Sequence, residues 1–318
     1  MLSRHILRIK AFQNLYAYFM QKDMTLDKGK KMLFSSLNKI HELIIHQLDS
    51  FLQFMDFYIF MLEENKKKLL PTPEDLNPNL KLAHNPFIIH LQNNHKLQKE
   101  IASYPLTWDR DIFRKIYLEV IAWKPYQNYM KSDDDTFPHH RDFACKLFKK
   151  KIAFSDHIKD FLETIHVGWN FDINYTGIVI YGWLKDYDPS KPETTVLPPV
   201  LKPSFSMGDI SDEEFIVTLF EKTILHHKEY ENILSQIIEN WDLNRITYVD
   251  QLILKMAITE FLYLPTVPVK VTIDEYLHIS DTFGTEKSKI FINGILDKCV
   301  NILSAEHKIK KYGAGLAN

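Results

Sequence analysis

Three short runs decide the fold: Ile273-Asp274-Glu275-Tyr276-Leu277, Asp281-Thr282-Phe283-Gly284 and Phe291-Ile292-Asn293-Gly294-Ile295-Leu296-Asp297-Lys298. Pro268 cannot continue a preceding helix and biases Val267 to an extended conformation. Ile273, Leu277 and Ser280 then recur at helical spacing, so a helix is expected over 271–283. Gly284 stands where a left-handed C-cap would end it. Ser288 and Lys289 open a second helix, over 287–304, with an apolar face of Phe291, Ile295, Leu296, Cys299, Val300 and Leu303. Gly294 in its interior costs about 1 kcal/mol relative to alanine, which a close helix approach would offset.

The same periodicity extends through the chain. Leu7, Ala11, Leu15 and Tyr18 mark a helix over 3–21, with Arg4 and Arg8 four apart on another stripe. A long helix is expected over 28–67, ending in Lys66-Lys67-Lys68, favourable at a helix C-terminus. Further helices are expected over 86–102, 109–131, 139–165, 173–186, 211–239 and 246–263. Prolines 189, 192, 198, 199 and 203 mark a linker, and 308–318 reads as a frayed tail. A shift of 72 positions lays Phe143 on Phe215, Leu147-Phe148 on Leu219-Phe220, Lys150 on Lys222, Ile152 on Ile224, Leu162 on Leu234, Ile165 on Ile237 and Trp169 on Trp241. The paired Leu-Phe, the Lys, the Ile and the distant Trp favour a duplicated helical unit; convergence of two amphipathic helices is the alternative.

The fold class is therefore all-α. Its expected parts are a first basic helix over 1–22, a helical insertion over 23–135, and a first repeat copy over 136–187. A Pro-rich linker over 188–208, a C-terminal helical core over 209–306 and a flexible tail over 307–318 follow. With 318 residues, 45% apolar content and nine glycines, the chain can bury a helical core, and global disorder is excluded. A net charge of −2 excludes a generally basic nucleic-acid coat, so any RNA contact must be a local patch. Cys145 and Cys299 are too far apart to form a zinc set and suggest a reducing compartment. The segment Met1–His5 lacks an apolar signal region, and no apolar run is long enough to span a bilayer, so cytoplasmic residence is expected. No phosphate-binding loop, nucleophile elbow or HExxH motif occurs, so no catalytic residue, cofactor or metal is expected. The neighbouring pairs His139-His140 and His226-His227 diverge around a helix and chelate poorly, and Asp133-Asp134-Asp135 reads as a loop. Lys146, Lys149, Lys150 and Lys151 read as a solvated helix face.

The closing runs resemble the C-terminal signature of the NusB family of transcription antitermination factors. The resemblance extends to Arg8, Ala11, Gln13, Leu15 and Tyr16 in the first helix. It also takes in Asp250, Leu254, Lys255, Ala257 and Glu260, which match the family's acidic and Leu-(Arg/Lys)-x-Ala positions. Two positions depart: Asp274 stands for the usual asparagine and Ile290 for the usual lysine, with Lys289 one place earlier. A one-residue move turns a side chain by about 100° around a helix. The resemblance covers 4–20 and about 209–304, and the extra length matches a longer form associated with Bacteroidetes-type bacteria.

That resemblance implies a non-enzymatic RNA-binding factor. Its implied partners are a boxA-type single-stranded RNA of ribosomal transcripts, ribosomal protein S10 (NusE) and the RNA polymerase antitermination complex. Carried onto this sequence, the RNA-binding residues would be Arg4, Arg8, Gln13, Tyr16, Lys270, Phe283, Ser288, Lys289 and Phe291, and the partner-binding residues Asp250 and Lys255. Cations for phosphates and aromatic rings for bases are what such a site needs. A helical protein–protein adaptor that has lost RNA binding is the alternative.

Overall fold

A computed structural model describes residues 2–204, 210–238 and 246–316, and among these all regular structure is helical. In chain order the helices are α1 (Arg4–Met20), α2 (Leu26–Lys66), α3 (Pro73–Leu76), α4 (Pro86–Gln92), α5 (His95–Ser103), α6 (Arg110–Ile121), α7 (Lys124–Lys131) and α8 (Phe137–Leu147). A π-helical turn, Phe148–Ala153, leads to α9 (Asp156–Ile165) and α10 (Trp169–Asp186). Then come α11 (Asp212–Leu225), α12 (His227–Ile237), α13 (Tyr248–Tyr263), α14 (Val269–Phe283) and α15 (Ser288–Ala305).

Polar side chains set many of these boundaries. Ser3, Thr72, Asn85, Asn94, Asp109, Thr136, Ser211 and Thr247 each accept a backbone N–H at a helix start, satisfying donors that the helix leaves open. Such caps explain where the expected long helices divide. Asn94 caps α5, so 86–102 is two helices. Pro125 at the start of α7 divides 109–131. His226, at φ −107° and ψ 12°, divides 211–239.

The helices form two compact units, residues 1–37 with 199–318 and residues 38–198. The boundary falls within α2, and the expected insertion and first repeat copy lie largely together in the second unit. In the first unit α13 is buried on nearly every side, from Leu252 to Phe261, as expected of a helix at the centre of a bundle. Leu7, Ala11 and Leu15 of α1, Phe215, Leu219 and Phe220 of α11, Tyr276 and Ile279 of α14, and Ile292, Leu296 and Cys299 of α15 complete that core. Hydroxyls of Thr223 and Thr259 meet at 2.8 Å. In the second unit Gln47 is fully buried: its amide donates to the Ile173 carbonyl and its oxygen accepts from Thr176 at 2.6 Å. The Trp169 indole donates to the Lys39 carbonyl. Gly177 has a packing reason, because a Cβ there would lie 2.9 Å from the Ala153 Cβ.

The 72-residue shift can be laid on these elements. The helical run ending at Ala153 and the helix Asp156–Ile165 map onto 225 and 228–237; the observed helices are Asp212–Leu225 and His227–Ile237. Phe143, Leu147, Phe148, Ile152 and Leu162 are buried, as are Phe215, Leu219, Phe220, Ile224 and Leu234. Ile165 is 46% exposed whereas Ile237 is buried. Trp241 lies outside the described residues. We propose on this footing that the two helix pairs arose by duplication.

The expected frayed tail is instead docked at Lys311, Tyr312 and Gly315. Lys311 Nζ donates to the carbonyls of Glu260 and Leu264, at 3.1 and 3.0 Å, where the C-terminal end of α13 gathers negative dipole. The Tyr312 amide donates to the Pro265 carbonyl. Burial pulls the Lys311 ammonium down to about 8, against the opposing charge of Glu260. The unfolded chain keeps the ordinary value of 10.5 and so binds more protons between those pH values. Stability contributed by this group therefore rises with pH from about 8 to 10.5 and is flat below. Thermal melts of the parent and Lys311→Met proteins should diverge as pH rises from about 7.5 to about 9.5, with the parent gaining. A constant difference would contradict the docked tail.

Candidate nucleic-acid interface

The first unit is organised around a buried ion pair. Arg8 is 1% exposed, and Nε and Nη2 donate to the two Glu260 carboxylate oxygens at 2.8 and 2.7 Å. Glu260 is fully buried and also accepts from Thr272 Oγ1 at 2.8 Å and the Tyr276 hydroxyl at 3.2 Å. Burial alone would pull the Arg8 pKa down, but the charge and hydrogen bonds of Glu260 outweigh it and the net shift is upward. Burial, followed by the Glu260 charge, pushes Tyr276 well above the ordinary tyrosine range. Glu275 flanks the pair, 3.7 Å from Arg8 and 2.6 Å from His5 Nδ1.

This arrangement corrects several expectations. Arg8 is a core residue whose fork is occupied by Glu260, so it presents nothing to a ligand. Arg4 is partly exposed, but it donates to the Ile210 carbonyl at 2.8 Å, lies 3.7 Å from Asp212 and covers the Phe215 ring. Ser288 is buried and accepts from the Thr285 amide at 2.9 Å, which fixes the turn into α15. Asp250 and Lys255 are buried as well, and Lys255 pairs with Glu231 at 2.7 Å, so neither stands on a docking surface. Gly284 is extended (φ −89°, ψ −170°) rather than left-handed. It is glycine because a Cβ would come within 2.7 Å of the Ser280 carbonyl and the Ser288 Cβ. Gly294 reverses the other way: it is exposed with nothing within 4 Å of a built Cβ, so no close helix contact accounts for it.

The remaining candidates are reachable. Tyr16 is 39% exposed, Lys270 and Lys289 are exposed, and Gln13, Phe283 and Phe291 are partly buried. Gln13 accepts from Lys10, and Lys289 pairs with Asp281 across the α14–α15 turn. Ile290, beside Lys289, is 81% exposed.

Around Tyr16 the fold assembles rings that no local motif joins. Phe283 lies 4.9 Å from Phe12, which lies 6.5 Å from Tyr16. Tyr16 meets Tyr248 edge-on at 5.7 Å, Tyr248 lies 6.5 Å from Phe19, and Phe19 lies 5.6 Å from His227. Tyr248 and Phe19 were missed in the sequence because they join the row only through the meeting of α1 with α13. The spacing of Phe12, Tyr16 and Phe19 at steps of four and three was the available signal. Chemically, the exposed Tyr16 and the half-buried rings of Phe19, Tyr248 and Phe283, backed by the buried Phe12, form an aromatic surface suited to stacking unpaired bases. No helix is long and apolar enough to cross a membrane among the described residues. Burial raises both cysteines to about 12, so neither thiol is activated.

Fold and site together define a helical bundle closed by a buried arginine–glutamate pair and bearing an aromatic row on its first helix. Comparison with known proteins relates the chain to one family. The family model described as NusB family matches residues 191–301. The chain is 34% identical over 116 residues to the transcription antitermination protein NusB of Chloroherpeton thalassium, covering 36% of this chain and 55% of that protein. It is 34% identical over 108 residues to that of Salinibacter ruber, covering 34% and 68%. With that of Pseudothermotoga lettingae it shares 42% over 85 residues, covering 25% and 61%. The chain belongs to the NusB family. It spans between about half and two thirds of the length of these relatives, and no solved structure matches it.

Two substitutions separate scaffold from surface. Arg8→Ala leaves Glu260 buried without its counter-ion and should cost about 3–5 kcal/mol in a denaturant titration. Gly294→Ala replaces a helix-interior glycine that faces open space and should stabilise the protein by about 0.5–1 kcal/mol. A neutral Arg8→Ala would place the pair outside the folded core.

Proposed function

We propose that the chain is a non-enzymatic transcription antitermination factor that binds a boxA-type single-stranded RNA of ribosomal transcripts together with ribosomal protein S10 (NusE). The observation that carries this reading is the aromatic row Phe283–Phe12–Tyr16–Tyr248–Phe19, with Tyr16 exposed on α1. Membership of the family supports it, as do the names of the relatives. In this reading bases stack on Tyr16 and its neighbours, while Lys270 and Lys289 meet phosphates. Lys289 exchanges Asp281 for the strand, an exposed pair that costs little to break. The factor works by assembly: each interaction with RNA or S10 raises the effective concentration for the next within the polymerase complex.

A protein–protein adaptor is the second reading. It is favoured by Ile290, which stands 81% exposed where the family resemblance has a lysine and offers an apolar surface instead of a cation.

Fluorescence anisotropy with a labelled boxA-type RNA, with and without S10, tests the choice. Tyr16→Ala should weaken binding by about 1–3 kcal/mol with the salt dependence preserved. Lys270→Gln with Lys289→Gln should flatten the log–log salt slope by roughly 0.7 for each phosphate no longer neutralised. Full RNA affinity in both variants, or S10 binding with no RNA affinity in the parent, would favour the adaptor.

A further inference from the structure

The second unit concentrates positive charge in a way that its packing does not require. Leu147, Phe148, Ile152 and Ala153 of the π-helical region are buried, and Ala153 sits against Gly177 of α10. This fixed backbone turns Lys146, Lys149, Lys150 and Lys151 toward the surface. The shift of 72 provides an internal comparison, because the matching positions on α11 carry Thr218, Glu221, Lys222 and Thr223. The same buried pattern thus tolerates near-neutral residues where this unit has four lysines.

Side chains from separate segments join the cluster. Lys149 and Lys185 of α10 both approach the Tyr181 ring, at 4.6 and 5.8 Å. Lys146 and Lys151 both approach the Trp123 ring, which precedes α7, at 6.0 and 5.9 Å. Glu119 neutralises Lys151 at 2.8 Å. Lys146, Lys149, Lys150 and Lys185 have no ion pair among the described residues. A ring face attracts an ammonium without cancelling its charge, so these side chains are held and remain cationic. Beside Lys146 opens a cleft of about 420 Å³, walled in part by Pro125, His139, Phe143 and one carboxylate, Asp142.

We propose that the second unit carries its own binding surface for single-stranded RNA, with Lys146, Lys149, Lys150 and Lys185 meeting phosphates and Trp123 and Tyr181 meeting bases. Alternating ammonium groups and aromatic rings match the alternating phosphates and bases of an unpaired strand. An acidic protein surface would use the charges and leave the rings idle. The surface shares no residue with the aromatic row on α1 and stands whether or not that row binds boxA-type RNA.

The test uses the full chain and a labelled oligouridylate of about twelve nucleotides, within the span such surfaces cover, which lacks any boxA motif. Lys146→Gln, Lys149→Gln, Lys150→Gln and Lys185→Gln combined should lower its affinity at least about tenfold at low salt. The log–log salt slope should flatten by roughly 0.7 for each phosphate no longer neutralised. Four exposed lysines elsewhere in the same unit, Lys96, Lys99, Lys115 and Lys131, changed to Gln, control for net charge and should leave affinity within about twofold. Trp123→Ala should weaken binding about tenfold with the slope preserved. Replacing the four patch lysines by arginine should retain binding, which separates charge from folding. In a Tyr16→Ala, Lys270→Gln, Lys289→Gln background, which removes whatever the first unit contributes, the patch substitutions should still lower oligouridylate affinity at least about tenfold, so failure of this surface and failure of the boxA site read out separately. Equal affinity and slope in the patch variant and the parent, no oligouridylate binding by the parent, or an equal loss in the control variant would overturn the proposal.

Discussion

Everything in the first unit depends on the Arg8–Glu260 pair. A carboxylate with no exposed surface is tolerable only with a matched cation and full hydrogen bonding, and Glu260 has Arg8, Thr272 and Tyr276 around it. The pair joins residues 252 positions apart and so fastens α1 to α13 and α14. It makes the first helix part of a bundle whose other members follow the long intervening segment. Loop closure explains why that insertion is tolerated: each doubling of a flexible loop costs only about 0.6 kcal/mol. The segment 38–198 also folds into a compact unit of its own.

With α1 fixed, its faces acquire distinct tasks. Leu7, Ala11, Phe12 and Leu15 fill the core, Arg8 closes the ion pair, and Tyr16 and Phe19 form the outer part of the aromatic row with Phe283 and Tyr248, on the buried ring of Phe12. The row's position thus depends on the clamp even though Arg8 itself is not on the surface. In the second unit the matching helix pair shares the buried pattern except at Ile165, exposed where Ile237 is buried, and differs in charge. This fits the proposed duplication, with one scaffold retained and its outer face altered.

How much of this was legible follows from the range of each interaction. Helix positions were readable because apolar periodicity and caps are local, as for α1, α13, α14 and α15. The divisions at Asn94, Pro125 and His226 were not, since the apolar pattern runs on through them and capping geometry decides. Arg4 and Arg8 were seen to share a stripe, but periodicity gives a direction and not what covers it; Glu260 was recognised as a family position, not as the partner of Arg8. The two signature glycines were misread in opposite senses. Gly284 needs room for Ser280 and Ser288 rather than a positive φ, and Gly294 has room to spare. Ser288, Asp250 and Lys255 were site candidates through the family resemblance, which carries no information on the burial that the fold gives them. Tyr16 and Phe283 were candidates through the family resemblance, and the fold brings both to the aromatic row. Tyr248 and Phe19 required the tertiary meeting of helices.

The central claim is that the first helix presents an aromatic surface to RNA while its buried arginine serves the fold. Photocrosslinking of the full chain to a boxA-type RNA carrying 5-bromouridine, with adducts mapped by mass spectrometry, tests it most directly. The expected result is crosslinks at Tyr16, Phe19 or Tyr248 and none at Arg8. Efficient crosslinks confined to other parts of the first unit, with that row untouched, would contradict it.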